Sequence, residues 1–168
     1  MLFFLKKPGS ADADNWKHQF NRMMLFNAEF PRVLVGVRKH KELMMSNLDI
    51  IETKAFVPAK DFELSKRFYS DLGFNIRWSS DALACMECGD SVFLLQNFYE
   101  EQHAKNFMMH LWVKDADSWW DHISKSNLAA KYDIKLGKPE DRPWGMRDLT
   151  LIDPSGVLWR IGHDINAQ

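Results

Sequence analysis

Cysteine is scarce. The 168 residues hold two, Cys85 and Cys88. They cannot build a disulfide framework, so a reducing compartment, the cytoplasm, is expected. Long apolar runs are also missing. Nothing approaches the roughly 18 residues of a membrane span, so no membrane contact is expected. The apolar opening Met1 to Leu5 is too short for a secretory signal core, and its lysines follow rather than precede it. Neither sign of charge dominates: 22 Lys and Arg against 23 Asp and Glu give a net charge of −1. Residues 1–44 carry +4 and residues 45–168 carry −5. An acidic main body is a poor nucleic-acid binder, and no nucleic-acid partner is expected.

What is present points to one globular domain with a core. Hydrophobic residues make up 46% of the chain and aromatic residues 13%, including seven Trp. A chain of this length buries enough surface to fold without disulfides or a structural metal. Some of so many rings are expected to line a site.

Residues 1–44 differ in character from the rest. Asp12 and Asp14 suit the cap of a helix with Trp16, Phe20, Met23, Met24 and Asn27 on one face, which Pro31 would end. Residues 32–37 suit a short strand, and Arg38-Lys39-His40-Lys41 is a basic cluster, read as a solvated linker. The domain proper is expected to span 45–168, with 1–44 as an extension.

From Ile50 the pattern sharpens. Residues 50–59 read as a strand. Asp61 then caps a helix whose Leu64, Phe68 and Leu72 form an apolar face, and Gly73 stops it. Residues 74–78, 82–87 and 91–98 read as strands, with Gly89-Asp90 as the turn between the last two. The same order then recurs. Residues 107–113 read as a strand, and Asp115 caps a helix through Lys125 that buries Trp119, Trp120 and Ile123. Residues 131–135, 146–152 and 157–161 read as strands. The last two are joined by the turn Asp153-Pro154-Ser155-Gly156. The stretch 136–145, rich in Pro, Gly and charge, reads as a long loop. Asp61 and Asp115 are 54 residues apart and equivalent. The fold class is therefore α+β: tandem βαβββ modules forming curved mixed sheets around a concave cavity, suited to a small molecule.

These residues carry a resemblance. Phe56-Val57-Pro58-Ala59-Lys60-Asp61 is followed by Phe68-Tyr69 and Leu72-Gly73-Phe74. Pro143-Trp144-Gly145-Met146-Arg147-Asp148 is followed by Asp153-Pro154-Ser155-Gly156-Val157-Leu158-Trp159-Arg160-Ile161. In that order they resemble the glyoxalase/bleomycin-resistance/extradiol-dioxygenase (vicinal oxygen chelate) superfamily, over about 115 residues. The Pro-Trp-Gly loop is most similar to the bleomycin-resistance branch. That resemblance implies a homodimeric, small-molecule-binding protein of the sequestration type rather than an enzyme. The alternative it leaves is a divalent-metal-dependent lyase or dioxygenase.

Metal-dependent members take one His, Gln or Glu from the first and last strand of each module. The resemblance places the outermost two at Lys54 and Arg160. Both are cations. Arginine offers no lone pair, and lysine offers none unless deprotonated. The middle positions fall near Gln96 and at Met108, with His110 on the same face as Met108. No cofactor is expected; the fallback is a divalent ion on Glu52, Gln96 and His110. Cys85 and Cys88, three apart in a strand, point to opposite faces and are read as free thiols.

With Lys54 and Arg160 facing a cavity, alternation adds Phe56 from the first strand, Gln96 and Phe98 from the fourth, and Met108, His110 and Trp112 from the fifth. Trp144 would close over the opening. Aromatic walls and cationic ends fit a flat or amphipathic small organic ligand bearing negative charge. The plainer reading pairs Lys54 and Arg160 with Glu52, Glu87 or Asp148 as structural ion pairs.

Overall fold

A computed structural model describes residues 49–166. The chain divides near residue 47, and every element below lies in the unit Leu48–Gln168. The helix, strand and basic cluster expected within 1–44 fall outside the described residues.

The first half runs β1 (Phe56–Pro58), α1 (Phe62–Leu72), β2 (Asn75–Ser79), β3 (Leu83–Cys88) and β4 (Ser91–Gln96). A short helix, α2 (Glu101–Asn106), leads to the second half. That half runs β5 (Met108–Trp112), α3 (Ala116–Lys125), α4 (Leu128–Tyr132), β6 (Lys135–Asp141), β7 (Met146–Ile152) and β8 (Leu158–Asp164). The strands form two four-stranded sheets, ordered β1-β4-β3-β2 and β5-β8-β7-β6. In each sheet the first strand pairs parallel with the last and the other neighbours pair antiparallel. The tandem βαβββ order read from the sequence is therefore present.

Local chemistry explains the helices. The Asp61 carboxylate accepts the Leu64 N–H at 2.8 Å, and Gly73 closes α1 in the left-handed region at φ 119°. Asp115 repeats the cap on α3, accepting the Asp117 N–H at 3.0 Å. His163 Nδ1 accepts the Ala116 N–H in the same turn.

Four expectations need correction. The first strand shrinks from 50–59 to Phe56–Pro58, because residues before Phe56 are half-buried or exposed and the bonding to β4 begins at the Ala55 carbonyl oxygen, which accepts the Leu94 N–H. Residues 131–135 straddle a helix end, since Leu128 and Tyr132 turn inward together at helical spacing. The supposed loop 136–145 is largely strand β6, paired with β7 through a register shift that absorbs Lys138 and Pro139. Trp119 and Trp120 are half-buried against the core, whereas Ile123 is fully buried.

The two halves share one core. The Tyr69 ring of α1 lies 4.9 Å from Phe93 on β4 and 5.6 Å from Trp159 on β8, and Phe93 and Trp159 meet at 5.4 Å. The Tyr69 hydroxyl donates to Asp153 at 2.5 Å and accepts the Trp159 indole N–H at 3.0 Å. Asp153 also accepts the N–H groups of Ser155 and Val157, so the Asp-Pro-Ser-Gly turn ties β8 to α1. Phe93 and Trp159 lie on the helix-facing sides of their sheets. These two rings meet in the shared core, so the open face of each sheet lies on the side opposite that contact.

Burial pushes the Asp153 carboxyl up from 3.8 to about 6, against the pull of the Tyr69 and backbone hydrogen bonds. The fold therefore prefers the protonated acid. This contribution is fully present below pH 4 and is lost as pH rises through 6. A change of that size corresponds to about 3 kcal/mol. Denaturant unfolding of wild type and Asp153→Asn at pH 4 and pH 7 should show the wild type losing about that much relative to the variant. Parallel pH profiles would mean that Asp153 ionises in the fold without cost.

Candidate functional site

Strand alternation selects what each open face presents. On β8, Trp159 and Ile161 point into the core, so Leu158, Arg160 and Gly162 point outward. On β5, Leu111 is buried, and Met108, His110 and Trp112 take the opposite side. On β7, Leu149 and Leu151 are core, leaving Asp148 and Thr150 outward. Register aligns His110 with Arg160, and Arg160 with Thr150.

Asp148 anchors this face. It is almost fully buried, and two arginines share its carboxylate. Arg142 Nε donates to Oδ1 at 2.7 Å; Arg160 Nε and one terminal nitrogen donate to Oδ2 at 2.9 and 2.5 Å. Arg142 also donates to Glu140. A buried carboxylate holding two guanidinium groups fixes both in place, and Glu140 on Arg142 balances the remaining charge of the cluster. Gly162 permits this arrangement, since a Cβ there would come within 2.7 Å of the Asp148 Cβ and 2.8 Å of the Arg147 carbonyl oxygen. Trp144, on the tight turn between β6 and β7, lays its ring 4.9 Å from the Arg160 guanidinium carbon. The His110 ring packs edge-on to Trp112 at 5.6 Å.

Desolvation, with Arg160 nearby adding to it, lowers the His110 pKa below 6.5, while Asp148 pulls weakly the other way. The ring is therefore neutral at neutral pH. It gains charge as pH falls below its lowered value, and an anionic ligand would then bind tighter. Affinity measured at pH 5 and pH 7.5 should rise on acidification in wild type and stay flat in His110→Gln. A wild type that is equally flat would place the ligand away from His110.

The structure brings together five of the nine residues singled out in the sequence: Met108, His110, Trp112, Trp144 and Arg160. Phe56, Gln96 and Phe98 belong to the other half. Lys54 is half-buried ahead of β1 and forms an ion pair with Glu52. Because each open face lies on the side of its sheet opposite the shared core, one chain does not gather all nine around one cavity. Arg142, Asp148 and Thr150 were not assigned to the pocket from sequence. Period-two alternation along β7 is the signal that places the latter two there.

A divalent ion does not fit the donor set. Lys54 and Arg160 are cations, each in an ion pair, and Met108 offers only a thioether. Register also corrects the fourth position. Phe56 pairs with Leu94 as His110 pairs with Arg160, so the counterpart of Arg160 is Leu94, while Gln96 corresponds to Gly162. The fallback trio is not assembled. Glu52 and His110 line one cleft of about 280 Å³ that includes Val92. Gln96 lies four residues beyond Val92, roughly 13 Å along the strand. Among the described residues no three His, Cys, Asp or Glu side chains cluster as metal ligands, and no helix is long and apolar enough to cross a membrane.

Comparison with known proteins agrees with this geometry. The sequence model of the Glyoxalase/Bleomycin resistance protein/Dioxygenase superfamily matches residues 50–161. No curated protein matches the chain significantly. Among solved structures, the bleomycin resistance determinant encoded on transposon Tn5 is similar, with 21% identity and a TM-score of 0.58 over 67% of this chain and 97% of that one. The bleomycin-binding protein of Streptomyces verticillus, in complex with copper(II)-bleomycin, has 18% identity and a TM-score of 0.59 over 68% and 96%. Lactoylglutathione lyase from Agrobacterium tumefaciens has 17% identity and a TM-score of 0.51 over 67% and 92%. At these identities the likeness concerns the fold.

Proposed function

Since the chain belongs to the Glyoxalase/Bleomycin resistance protein/Dioxygenase superfamily, we propose that it binds a small organic anion with aromatic character, without a metal, on the open face of its second half. The observation that carries this reading is the buried Asp148 holding Arg142 and Arg160, with the Trp144 ring against Arg160. The arginines supply charge, and Trp144 and Trp112 supply flat apolar area. Solved bleomycin-binding proteins and a lactoylglutathione lyase share the fold, so the preference for binding over catalysis rests on the donor set of the open face. The metal-dependent lyase or dioxygenase reading lacks ligands here.

A single open sheet is half a cavity. Phe56, Trp78 and Trp112 are 48%, 45% and 61% exposed on the open faces. We assign the missing wall to a second copy of the chain, in a homodimer that sets the first-half face of one copy over the second-half face of the other. The two free cysteines suit a cytoplasmic location.

Arg160→Gln tests the site. It should weaken aromatic carboxylates by about 2 kcal/mol, as expected for a lost charge-assisted contact, with little change for neutral analogues. Calorimetric titration reads both. Equal loss for the neutral analogues would remove Arg160 from anion recognition.

A further inference from the structure

The two halves are built on one plan but face outward with opposite chemistry. Cross-strand register defines one row over each sheet. In the first half the row is Trp78, Cys85, Leu94 and Phe56. In the second half the equivalent row is Gly137, Thr150, Arg160 and His110. The equivalence rests on the helix caps, since Phe56 precedes Asp61 by the same interval as His110 precedes Asp115. Every member of the first row is apolar. The second row carries a cation, an imidazole and a hydroxyl, and has no side chain where the first has Trp78. A Cβ on Gly137 would lie 2.5 Å from the Thr150 hydroxyl oxygen, so the Thr150 side chain takes the space a residue there would need and the row ends on a hydroxyl rather than a ring.

We propose that the ligand is an amphiphile with one acidic head and an extended apolar body. The head lies on the polar row of one copy, and the body lies along the apolar row of the other. This rests on the paired-copy reading above, because within one chain each row lies on the side of its sheet opposite the shared core. Each row crosses four strands, roughly 14 Å at the usual strand spacing. A compact aromatic acid would satisfy the polar row and leave much of Phe56 and Trp78 uncovered. A body of about ten carbons would cover them. Water exposure of those two side chains is costly enough to reward the longer ligand.

The test is a calorimetric titration of the full chain with n-alkyl carboxylates from hexanoate to dodecanoate, kept below their micelle concentrations, together with the matching alcohols and benzoate. In wild type each added methylene should tighten binding by about fourfold until the row is covered, and carboxylates should outbind alcohols at every length. Trp78→Ser, and separately Phe56→Ser, should flatten the length dependence and keep the preference for the carboxylate. Arg160→Gln should do the reverse. Both row variants alter exposed side chains, and a circular dichroism spectrum matching wild type confirms their folding. Benzoate binding as tightly as decanoate, or an unchanged length dependence in both row variants, would overturn the amphiphile assignment while leaving anion binding intact. No binding of any carboxylate would overturn both.

Discussion

Asp148→Ala should cost about 3–5 kcal/mol of folding stability, the range for removing one partner of a buried ion pair. The carboxylate is almost fully buried, and it ties β7 to the side chains of Arg142 on the β6–β7 turn and Arg160 on β8. Its loss leaves two guanidinium groups facing one another at a site with little water, without the charge that reconciled them. Asp148→Asn should lose less, because the amide oxygen still accepts from one arginine. Urea unfolding measures both, and the same samples should lose carboxylate binding even where they remain folded. A loss below about 1 kcal/mol for the alanine variant would mean that the arginines find other partners, as exposed ion pairs readily do.

Trp159→Ala should be comparably severe, about 3–5 kcal/mol, as for other large-to-small core changes. Trp159 is the ring by which the second half touches Tyr69, Phe74 and Phe93 of the first. Removing it opens a cavity between the sheets and deprives the Tyr69 hydroxyl of its indole donor. The variant should also broaden the unfolding transition, because it removes one of the links between the halves and leaves the Asp153 turn, the Phe68–Tyr132 ring contact and the Asp71 bonds to Lys131 and Tyr132 to hold them. A Trp159→Ala protein that unfolds as sharply as wild type, at nearly the same denaturant concentration, would mean that the halves are held together elsewhere.

Much of this was legible in the chain. Asp61 and Asp115, followed by apolar residues at helical spacing and preceded by short strands, identify the modules because capping and periodicity are local effects. The Asp-Pro-Ser-Gly turn is local for the same reason. Residues 136–145 misled because Pro139 and Gly137 signal a loop, yet a register shift lets an edge strand carry both. Leu128 to Tyr132 was hidden by its shortness. At the site, alternation correctly put His110, Trp112 and Arg160 on one face, and the loop motif brought Trp144 to them. The direction in which the two sheets turn was not legible. It depends on Phe93 meeting Trp159 across 66 residues of sequence, a contact that no local pattern encodes. Nor was the sharing of Asp148 by two arginines, since Arg142 lay in what read as a loop.

The most direct measurement is calorimetric titration of chelator-treated protein with a planar aromatic carboxylate, repeated after adding back zinc, nickel, manganese or iron(II). The expected result is binding in the chelated sample, no gain from any metal, and roughly thirtyfold weaker binding in Arg160→Gln. Binding that appears only when a divalent ion is restored, or that survives Arg160→Gln unchanged, would contradict it.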